Sequence, residues 1–284
     1  MNKTTQRLLP FAITAMLILS ACTPATPSPT ATVLPAATLP PTSTPWSTST
    51  ITPTPPQPTV TPAAGQVCSP LQGIQLNEFA DILTTPLQTP QPGQDDGHQG
   101  VDFAFYSHGD IKTMLGLPIQ AALAGRVAAV VTNRNPYGNS IMLETALSDL
   151  PPAWVQALNL PQPVASIQPD PRMICPAQVA NSAWNSPSRS IYIVYAHLKD
   201  APTLHLGDSV SCGAAIGGVG TTGMSVNPHL HFETRVGPSN QKFDGMAYYY
   251  TGATSTEMAN YCLWRVSGVF QIFDPLSLLA LPQK

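Results

Sequence analysis

The sequence predicts a mainly β domain that begins near residue 66, and three observations indicate it. Short segments that are apolar, or that alternate between apolar and polar residues, recur along the chain and are bounded by Gly, Pro, Asn or Asp. Ala124-Gly125 and the segment "NPYGN" stand beside such runs, which predicts hairpins at both places. The region 66–284 is also long enough to form one domain with a substantial core.

The strand-like segments are, in chain order, "LPIQAALAGRVAAVVTN", "NSIMLETA", "SIYIVYAHL" and "HLHFETRV". One region interrupts them, because residues 145–190 are polar and rich in proline and contain Cys175 and Trp184. We interpret 145–190 as an insertion between two strands. Within it, "PPAWVQALNL" predicts a short helix over residues 151–159.

Residues 1–21 are typical of a signal peptide. Lys3 and Arg7 precede an apolar run that is shorter than the roughly 20 residues needed to span a membrane. The run ends in Leu-Ser-Ala followed by Cys22, which resembles the lipobox of bacterial lipoproteins. This resemblance implies that Cys22 is lipidated and anchors an exported protein to a membrane, on the cell surface or the periplasmic side. The alternative is an ordinary signal peptide with a chance cysteine.

Residues 22–65 are predicted to be a disordered linker behind the lipid anchor. Nearly all of them are Pro, Thr, Ser or Ala, and no charged residue occurs between Arg7 and Glu78. Such a composition cannot build a core. Because frequent prolines favour extended polyproline-II, we expect a semi-rigid spacer on the order of 100 Å long, which would let the domain reach the cell wall.

The charge of the chain argues against a nucleic-acid partner. It has 12 Lys and Arg against 15 Asp and Glu, for a net charge of −3, and no run of basic residues.

No CxxC pair occurs, so a cysteine zinc site is not expected. In an exported protein we expect two disulfides among Cys68, Cys175, Cys212 and Cys262, and their three pairings remain open.

Four histidines lie in or beside the strand-like segments. His229 and His231 are two residues apart, so a strand would present both imidazoles on one face. His98 precedes Asp102 by four residues, and in an extended segment these two also share a face, with an intervening glycine that allows close backbone approach. His197 follows a third strand-like run. Two imidazoles and one carboxylate are a suitable zinc triad with a fourth position for water. Solvated strand histidines are the alternative.

Seven short motifs occur in order between about residues 96 and 279, interrupted by residues 145–190. They are "HQGVDFAF", "GLPIQAALAGRVAAVV", "YGNSIML", "YAHL", "LGDSVSCGAAIGGVGTTG", "NPHLHFE" and "FDPLSLL". This series resembles the lysostaphin-like, LytM-type zinc metallopeptidases, which cut peptide bonds in peptidoglycan. HxGxD, YxHL and HLHFE in this order are a specific combination. The resemblance implies an antiparallel β-sheet core, a barrel-sandwich hybrid, with a groove across the sheet.

The resemblance also implies a role for each site residue. His98, Asp102 and His231 become the ligands of one Zn²⁺ per chain, and His197 and His229 become the catalytic pair beside it. A water molecule activated by zinc would attack a peptide carbonyl in a peptidoglycan stem or cross-bridge. Which histidine is the general base remains open.

Other motif residues have weaker assignments. Tyr195 and Glu233 are motif neighbours with no assigned role, and the glycines of "GGVGTTG", including Gly220 and Gly223, are expected to serve backbone geometry. Two further histidines belong to no motif and are expected at the surface. They are His108 and His205.

Two features depart from the family pattern. The segment "NEFADILTTPLQTPQPGQDDG" replaces the glycine-aromatic-arginine element that often precedes the first motif, and the 145–190 insertion can narrow, cover or re-aim the groove.

Two alternative functions are a non-catalytic LytM-type module that activates other wall hydrolases, and a phosphocarrier. The complete ligand set opposes the first, and an exported lipoprotein has no obvious phosphoryl donor for the second.

Overall fold

The computed structural model describes residues 65–162, 171, 173, 175 and 188–282. The expected signal peptide, the lipidation site Cys22 and all of the expected linker except Gly65 lie outside these residues. Residues 163–187 of the predicted insertion, apart from 171, 173 and 175, also lie outside them. No helix in the described part combines the length and the apolar character that crossing a membrane requires.

The described part of the chain contains mostly strands, with a few short helices. The strands are β1 (Leu83–Thr85), β2 (Val101–Phe103), β3 (Pro118–Gln120), β4 (Gly125–Arg134), β5 (Gly138–Ala146), β6 (Arg189–Ala196), β7 (Ser209–Val210), β8 (Ala215–Gly218), β9 (Leu230–Pro238) and β10 (Gln271–Ile272). The α-helices are α1 (Pro152–Ala157), α2 (Ser255–Arg265) and α3 (Pro275–Leu279), and 3₁₀ helices span Leu76–Glu78 and Leu147–Asp149.

The main sheet has eight strands. Its order is β1-β2-β9-β6-β5-β4-β7, and β10 also pairs with β9. β2 and β10 share the edge of β9 that faces away from β6. β3 and β8 form a separate two-stranded sheet, and all of these pairings are antiparallel. The mainly antiparallel β fold that the sequence predicts is therefore confirmed.

One predicted hairpin is confirmed and the other is wrong. β4 and β5 pair across "NPYGN". β3 and β4, on either side of Ala124-Gly125, do not pair, because β3 pairs with β8 and β4 pairs with β5 and β7. The physical reason is that the connecting residues Ala121 and Leu123 are buried in the core. The chain passes through the core there instead of turning back at the surface.

The side chains of β6 and β9 alternate between two cores. One face of the sheet contributes to a first core, with Ile191, Ile193, Tyr195, Leu230 and Phe232. The opposite face packs against a second core, with Tyr192, Val194, Ala196, Phe243, Trp264 and Phe270. All nine residues of β9 are buried as a result. Its polar residues at alternate positions 231, 233 and 235 lie on the side of the second core.

The second core is covered by the chain that follows β9, including helix α2, which the sequence analysis does not predict. α2 begins at a capping box. The Thr254 hydroxyl accepts the N–H of Glu257 at 3.2 Å, and the Glu257 carboxylate accepts the N–H of Thr254 at 2.7 Å. The buried residues Tyr261 and Trp264 then pack toward the sheet.

The connection between β5 and β6 contains α1, which confirms the predicted short helix. Farther along this connection, Cys175 is bonded to Cys262 of α2. The other disulfide joins Cys68 to Cys212. Cys68–Cys212 with Cys175–Cys262 is one of the three pairings that the sequence leaves open. The bond between Cys175 and Cys262 ties the β5–β6 connection to the helix over the second core.

Candidate functional site

Three side chains of the types that bind metals converge at the start of β9. His98 Nε2 lies 3.1 Å from Asp102 Oδ1 and 3.1 Å from His231 Nδ1, and His231 Nδ1 lies 3.0 Å from Asp102 Oδ1. Among the residues that the structure describes, these three form the one group of His, Cys, Asp or Glu compact enough to hold a metal ion. They are the three residues that the sequence analysis selects as ligands.

Strand pairing accounts for this convergence. Asp102 of β2 lies directly opposite His231 of β9. His98 is held just before β2 by a bridge to Gln88. Gly100 permits the close approach, since a Cβ at that position would lie 2.8 Å from the ring of His231. The four-residue spacing therefore brings His98 and Asp102 together in an extended segment.

The ring nitrogens of His98 and His231 are arranged so that a cation could bind between them and Asp102. His98 Nδ1 lies 3.0 Å from the carbonyl oxygen of Pro86, which can only accept, so Nδ1 carries the proton and the Nε2 lone pair faces the cluster. His231 Nε2 is buried without a hydrogen bond, 3.6 Å from Glu233 Oε2. In a tetrahedral zinc site with ligands about 2.0–2.1 Å from the ion, ligand atoms lie roughly 3.3 Å apart. The observed spacing is close to that value.

His197 and His229 lie beside the cluster. Their ring centroids are 4.7 Å apart, and His229 Nε2 is 3.5 Å from Asp102 Oδ1. His197 Nδ1 is 2.8 Å from the Thr222 carbonyl, and His229 Nδ1 is 2.8 Å from the Asn227 carbonyl. Each Nδ1 must donate to its carbonyl, so each neutral ring keeps an unprotonated Nε2. Both rings are thereby fixed in the tautomer that can accept a proton at Nε2.

The backbone at both histidines is specialised. His197 follows β6 with a φ of 61°, a left-handed conformation that is uncommon for residues other than glycine, and its N–H donates to the Tyr137 carbonyl at 2.9 Å. Its ring centroid lies 5.8 Å from that of His231. His229 precedes β9 and bridges to Gly220. The structure thus brings the predicted pair together from the ends of two neighbouring strands.

The electrostatic environment differs among the site residues. Burial would raise the pKa of Asp102, but hydrogen bonds with His231 and His98 outweigh burial and hold the pKa well below its usual value. Burial would lower the pKa of His231, but the Asp102 and Glu233 carboxylates outweigh it and raise the pKa. For His197, burial and the neighbouring histidines lower the pKa to about 3. At neutral pH, therefore, Asp102 is a carboxylate and His197 is a neutral imidazole.

A buried charged network lies behind His231. The carboxylate of Glu233 accepts a hydrogen bond from Arg235 Nε at 2.6 Å and lies 3.9 Å from Arg265 of α2. Burial would raise the pKa of Glu233, but Arg235 outweighs burial and the pKa falls below its usual value. Arg265 in turn donates to Asp95 at 2.7 Å. The sequence analysis assigns no role to Glu233, although its two-residue spacing from His231 puts both on one face of the strand.

Other predicted residues have structural roles. Tyr195 points into the first core, where its hydroxyl oxygen accepts the N–H of Ala122 at 2.7 Å. His205 is exposed, as predicted. His108 is partly exposed, with 28% of its side chain accessible, and its Nε2 lies 3.2 Å from a carboxylate oxygen of Glu78. That partner is 30 residues away in the sequence, so no local pattern could indicate it.

One family model matches part of the chain. Residues 183–244 match Peptidase family M23. The matched segment contains His197, His229 and His231, but it does not extend to His98 or Asp102. No curated protein matches the chain.

Several solved structures resemble the chain at low identity. The catalytic domain of the antimicrobial peptidase lysostaphin from Staphylococcus simulans is 19% identical over 72% of this chain and 96% of that domain, with a TM-score of 0.36. A Pseudomonas aeruginosa protein assigned to peptidase M23 is 20% identical over 62% of this chain and 46% of its own length, with a TM-score of 0.30. A zinc-containing peptidase from Vibrio cholerae is 22% identical over 54% of this chain and 32% of its own length, with a TM-score of 0.29.

The chain therefore spans less than half of the length of the P. aeruginosa and V. cholerae proteins.

Proposed function

We propose that this chain is a zinc metalloendopeptidase that hydrolyses peptide bonds in the stems or cross-bridges of peptidoglycan. The observation that carries the proposal is the meeting of His98, Asp102 and His231 within 3.1 Å of one another, with His197 and His229 beside them. The match of residues 183–244 to Peptidase family M23 supports peptide-bond hydrolysis as the chemistry. Peptidoglycan as the substrate is supported by the motif series of the LytM-type enzymes.

Zinc is the metal that this donor set favours. Two imidazoles and one carboxylate leave a fourth position for water or substrate, as in catalytic rather than structural zinc sites. His98, Asp102 and His231 would hold the ion, and the Pro86 carbonyl would orient His98 from behind. Zinc bound there supplies a Lewis acid that polarises a peptide carbonyl and lowers the pKa of a water molecule.

We assign the proton acceptor to His229, whose Nε2 is unprotonated in the neutral ring and lies 3.5 Å from Asp102 Oδ1, at the edge of the metal cluster. His197 stays neutral because burial lowers its pKa to about 3. Its Nε2 is therefore suited to accept a hydrogen bond from the attacking water and to orient it.

The proposal includes export and attachment to a membrane through lipidated Cys22. Residues 23–65 would then act as the spacer between the lipid and the domain. Support comes from the lipobox-like sequence before Cys22 and from two disulfides, which persist mainly in proteins outside the cytoplasm.

The test is to incubate the full-length, zinc-loaded protein with purified peptidoglycan and to identify released fragments by mass spectrometry. We expect fragments whose new ends come from one type of peptide bond, and none from the His229→Ala variant over the same time. The alternative, a non-catalytic module that activates other wall hydrolases, predicts no fragments from the protein alone. It predicts faster release when the protein is added to a separate wall hydrolase.

A further inference from the structure

Five polar side chains form a closed network behind the candidate metal site. Arg265 of α2 donates to Asp95 at 2.7 Å, and Gln99 donates to the same Asp95 oxygen at 3.4 Å. Gln99 in turn accepts a hydrogen bond from Arg235, and Arg235 donates to Glu233 at 2.6 Å. The other Glu233 oxygen lies 3.9 Å from Arg265 and closes the five-residue network. This network therefore joins three parts of the chain, which are the segment before β2, strand β9 and helix α2.

Both histidine ligands of the candidate site lie next to the five-residue network. His98 stands between Asp95 and Gln99 in the sequence, directly before Gln99. The Nε2 of His231 is buried without a hydrogen bond and lies 3.6 Å from Glu233 Oε2. The network thus holds the chain on both sides of one ligand and places a carboxylate behind the other.

The charged members of the network are almost completely removed from solvent. Side-chain exposure is 3% for Arg235, 0% for Glu233, 10% for Arg265 and 11% for Asp95. Two guanidinium groups face two carboxylates, so the buried charges balance. Burial of such groups carries a large desolvation cost, and an apolar cluster of similar volume is often as stable. Net stability is therefore a weak explanation for the network, whereas its short and directed hydrogen bonds favour one arrangement of the three segments.

Helix α2 makes further contacts with both carboxylates. Tyr261, one turn before Arg265, donates to the second oxygen of Asp95 at 2.7 Å. Arg265 also donates to the Tyr137 hydroxyl at 3.3 Å, and that hydroxyl donates to Glu233 at 2.7 Å. Arg265 consequently reaches Asp95 directly and Glu233 both across 3.9 Å and through Tyr137.

We propose that Arg265 is a positioning residue for the metal site. Through Asp95 it fixes the segment that carries His98. Through Glu233 it fixes the acceptor for the Nε2 proton that His231 carries when its Nδ1 binds a metal ion. This inference rests on the zinc site of the proposed function, but not on the reaction.

The test measures the zinc affinity of the full-length protein in competition with a chelator. The variants Arg265→Gln and Asp95→Asn remove the charge on either side of one contact. We expect each to bind zinc about 10–100-fold more weakly, as when the groups that orient a ligand are changed. The double variant should lose less than the product of the two single effects, because both substitutions act through the same contact.

The matched control is Arg134→Gln. Arg134 donates to Glu257 of α2 at 2.6 Å, and Glu257 lies in the first turn of the helix, outside the five-residue network. We expect the zinc affinity of this control to equal that of the wild type. The visible absorption of bound Co²⁺, which reports the geometry of the ligands, should change in Arg265→Gln and Asp95→Asn but not in the control. A purely structural role would lower stability without changing affinity or absorption.

Wild-type zinc affinity in both single variants would overturn the inference, and so would an equal loss in Arg134→Gln. If Arg265→Gln and Asp95→Asn do not fold, the milder Tyr261→Phe decides, with an expected loss of about twofold to fivefold. A wild type that binds no zinc would overturn the inference together with the metal site. The affinities are measured whether or not the protein cleaves peptidoglycan, so a failure of the proposed reaction is distinguished from a failure of this inference.

Discussion

The two nitrogens of the His231 ring have different surroundings. Nδ1 lies 3.0 Å from Asp102 and 3.1 Å from His98, whereas Nε2 makes no hydrogen bond and lies 3.6 Å from Glu233. His229 reaches the same cluster only through Nε2, at 3.5 Å from Asp102. The two histidines of the "HLH" segment therefore stand in different relations to the ligand group.

This difference predicts different effects of mutation. We expect His231→Ala to lose both zinc and cleavage, because one of three protein ligands is gone. His229→Ala should retain near wild-type zinc but slow cleavage by about 10²–10⁴-fold, the usual effect of removing a positioned acid–base group. Zinc content per chain and the cleavage rate are measured on the same samples. Loss of zinc in His229→Ala with retention in His231→Ala would reverse the two assignments.

Gly100 predicts a second effect on the metal. A Cβ at this position would lie 2.8 Å from the His231 ring and 2.9 Å from the Phe232 carbonyl oxygen, so Gly100→Ala must displace the ring or the strand. We expect zinc affinity to fall by about 10–100-fold, as when the groups that orient a ligand are changed. The matched control is Gly218→Ala, where the nearest atom to a Cβ is 3.4 Å away. Equal zinc affinities in competition with a chelator would contradict the prediction.

The lowered pKa of His197 predicts a pH dependence of stability in the metal-free protein. The unfolded chain takes up a proton at His197 near pH 6.5, whereas the folded chain does so only near pH 3. Acidification from pH 7 to pH 5 should therefore reduce the free energy of unfolding by about 2 kcal/mol through this residue. His197→Gln should show a correspondingly smaller reduction in urea titrations at the two pH values. The same reduction in both proteins would contradict the assignment.

The sequence predicts which residues meet at the site better than it predicts what holds them. The spacing of His98 and Asp102 is a local property of an extended chain, and period-two alternation is enough to infer that they converge. The acceptors that fix His197 and His229 are backbone carbonyls, which no side-chain pattern reveals. Arg265, which lies 3.9 Å from Glu233, is on α2, a helix that the sequence analysis does not predict.

At the scale of elements, strands β4, β5, β6 and β9 agree with the predicted segments to within a few residues. Their apolar or alternating sequences reflect burial on one or both faces, which depends little on distant partners. The pairing of β3 with β8 was not predictable in the same way, because it joins residues about 100 positions apart. For α2, a local signal existed in the capping box formed by Thr254 and Glu257.

The position of α2 over the sheet predicts unequal costs for two arginine substitutions. Arg265 is nearly buried and donates to Asp95 at 2.7 Å, whereas Arg134 is about one-third exposed and donates to Glu257 at 2.6 Å. Arg265→Ala leaves buried carboxylates without their partner and should lower the free energy of unfolding by about 3–5 kcal/mol. Arg134→Ala, the control with a similar bond length, should cost much less, because solvent screens the exposed guanidinium. Urea titrations that give the same cost for both would contradict this account.

At the scale of the whole molecule, the mainly antiparallel β architecture follows from the sequence because strand patterns dominate it. The signal peptide, the lipid anchor and the linker remain predictions, since they lie outside the described residues. The disulfide pairing could not be derived from the sequence. It depends on how distant segments pack, and the two bonds join residues separated by 144 and 87 positions.

The disulfides predict that the folded, exported protein has almost no free thiol. Titration of the unfolded but unreduced protein should detect none from Cys68, Cys175, Cys212 or Cys262. Reduction should lower the free energy of unfolding by a few kcal/mol per bond, because long loops lose their closure in the unfolded chain. A double variant, Cys68→Ala with Cys212→Ala, separates the contribution of one bond from the other. Four titratable thiols before reduction would refute the pairing.

The same two bonds determine what happens to the molecule when another protease cleaves it. A single cut between Cys68 and Cys212 leaves one half of that disulfide on each fragment, and a cut between Cys175 and Cys262 does the same for the second bond. The two intervals overlap and together contain all five histidine and aspartate residues of the site. A protein nicked once anywhere in this range would thus remain a single covalent molecule with its site residues attached. On a gel it would run as one band until a reductant separates the pieces.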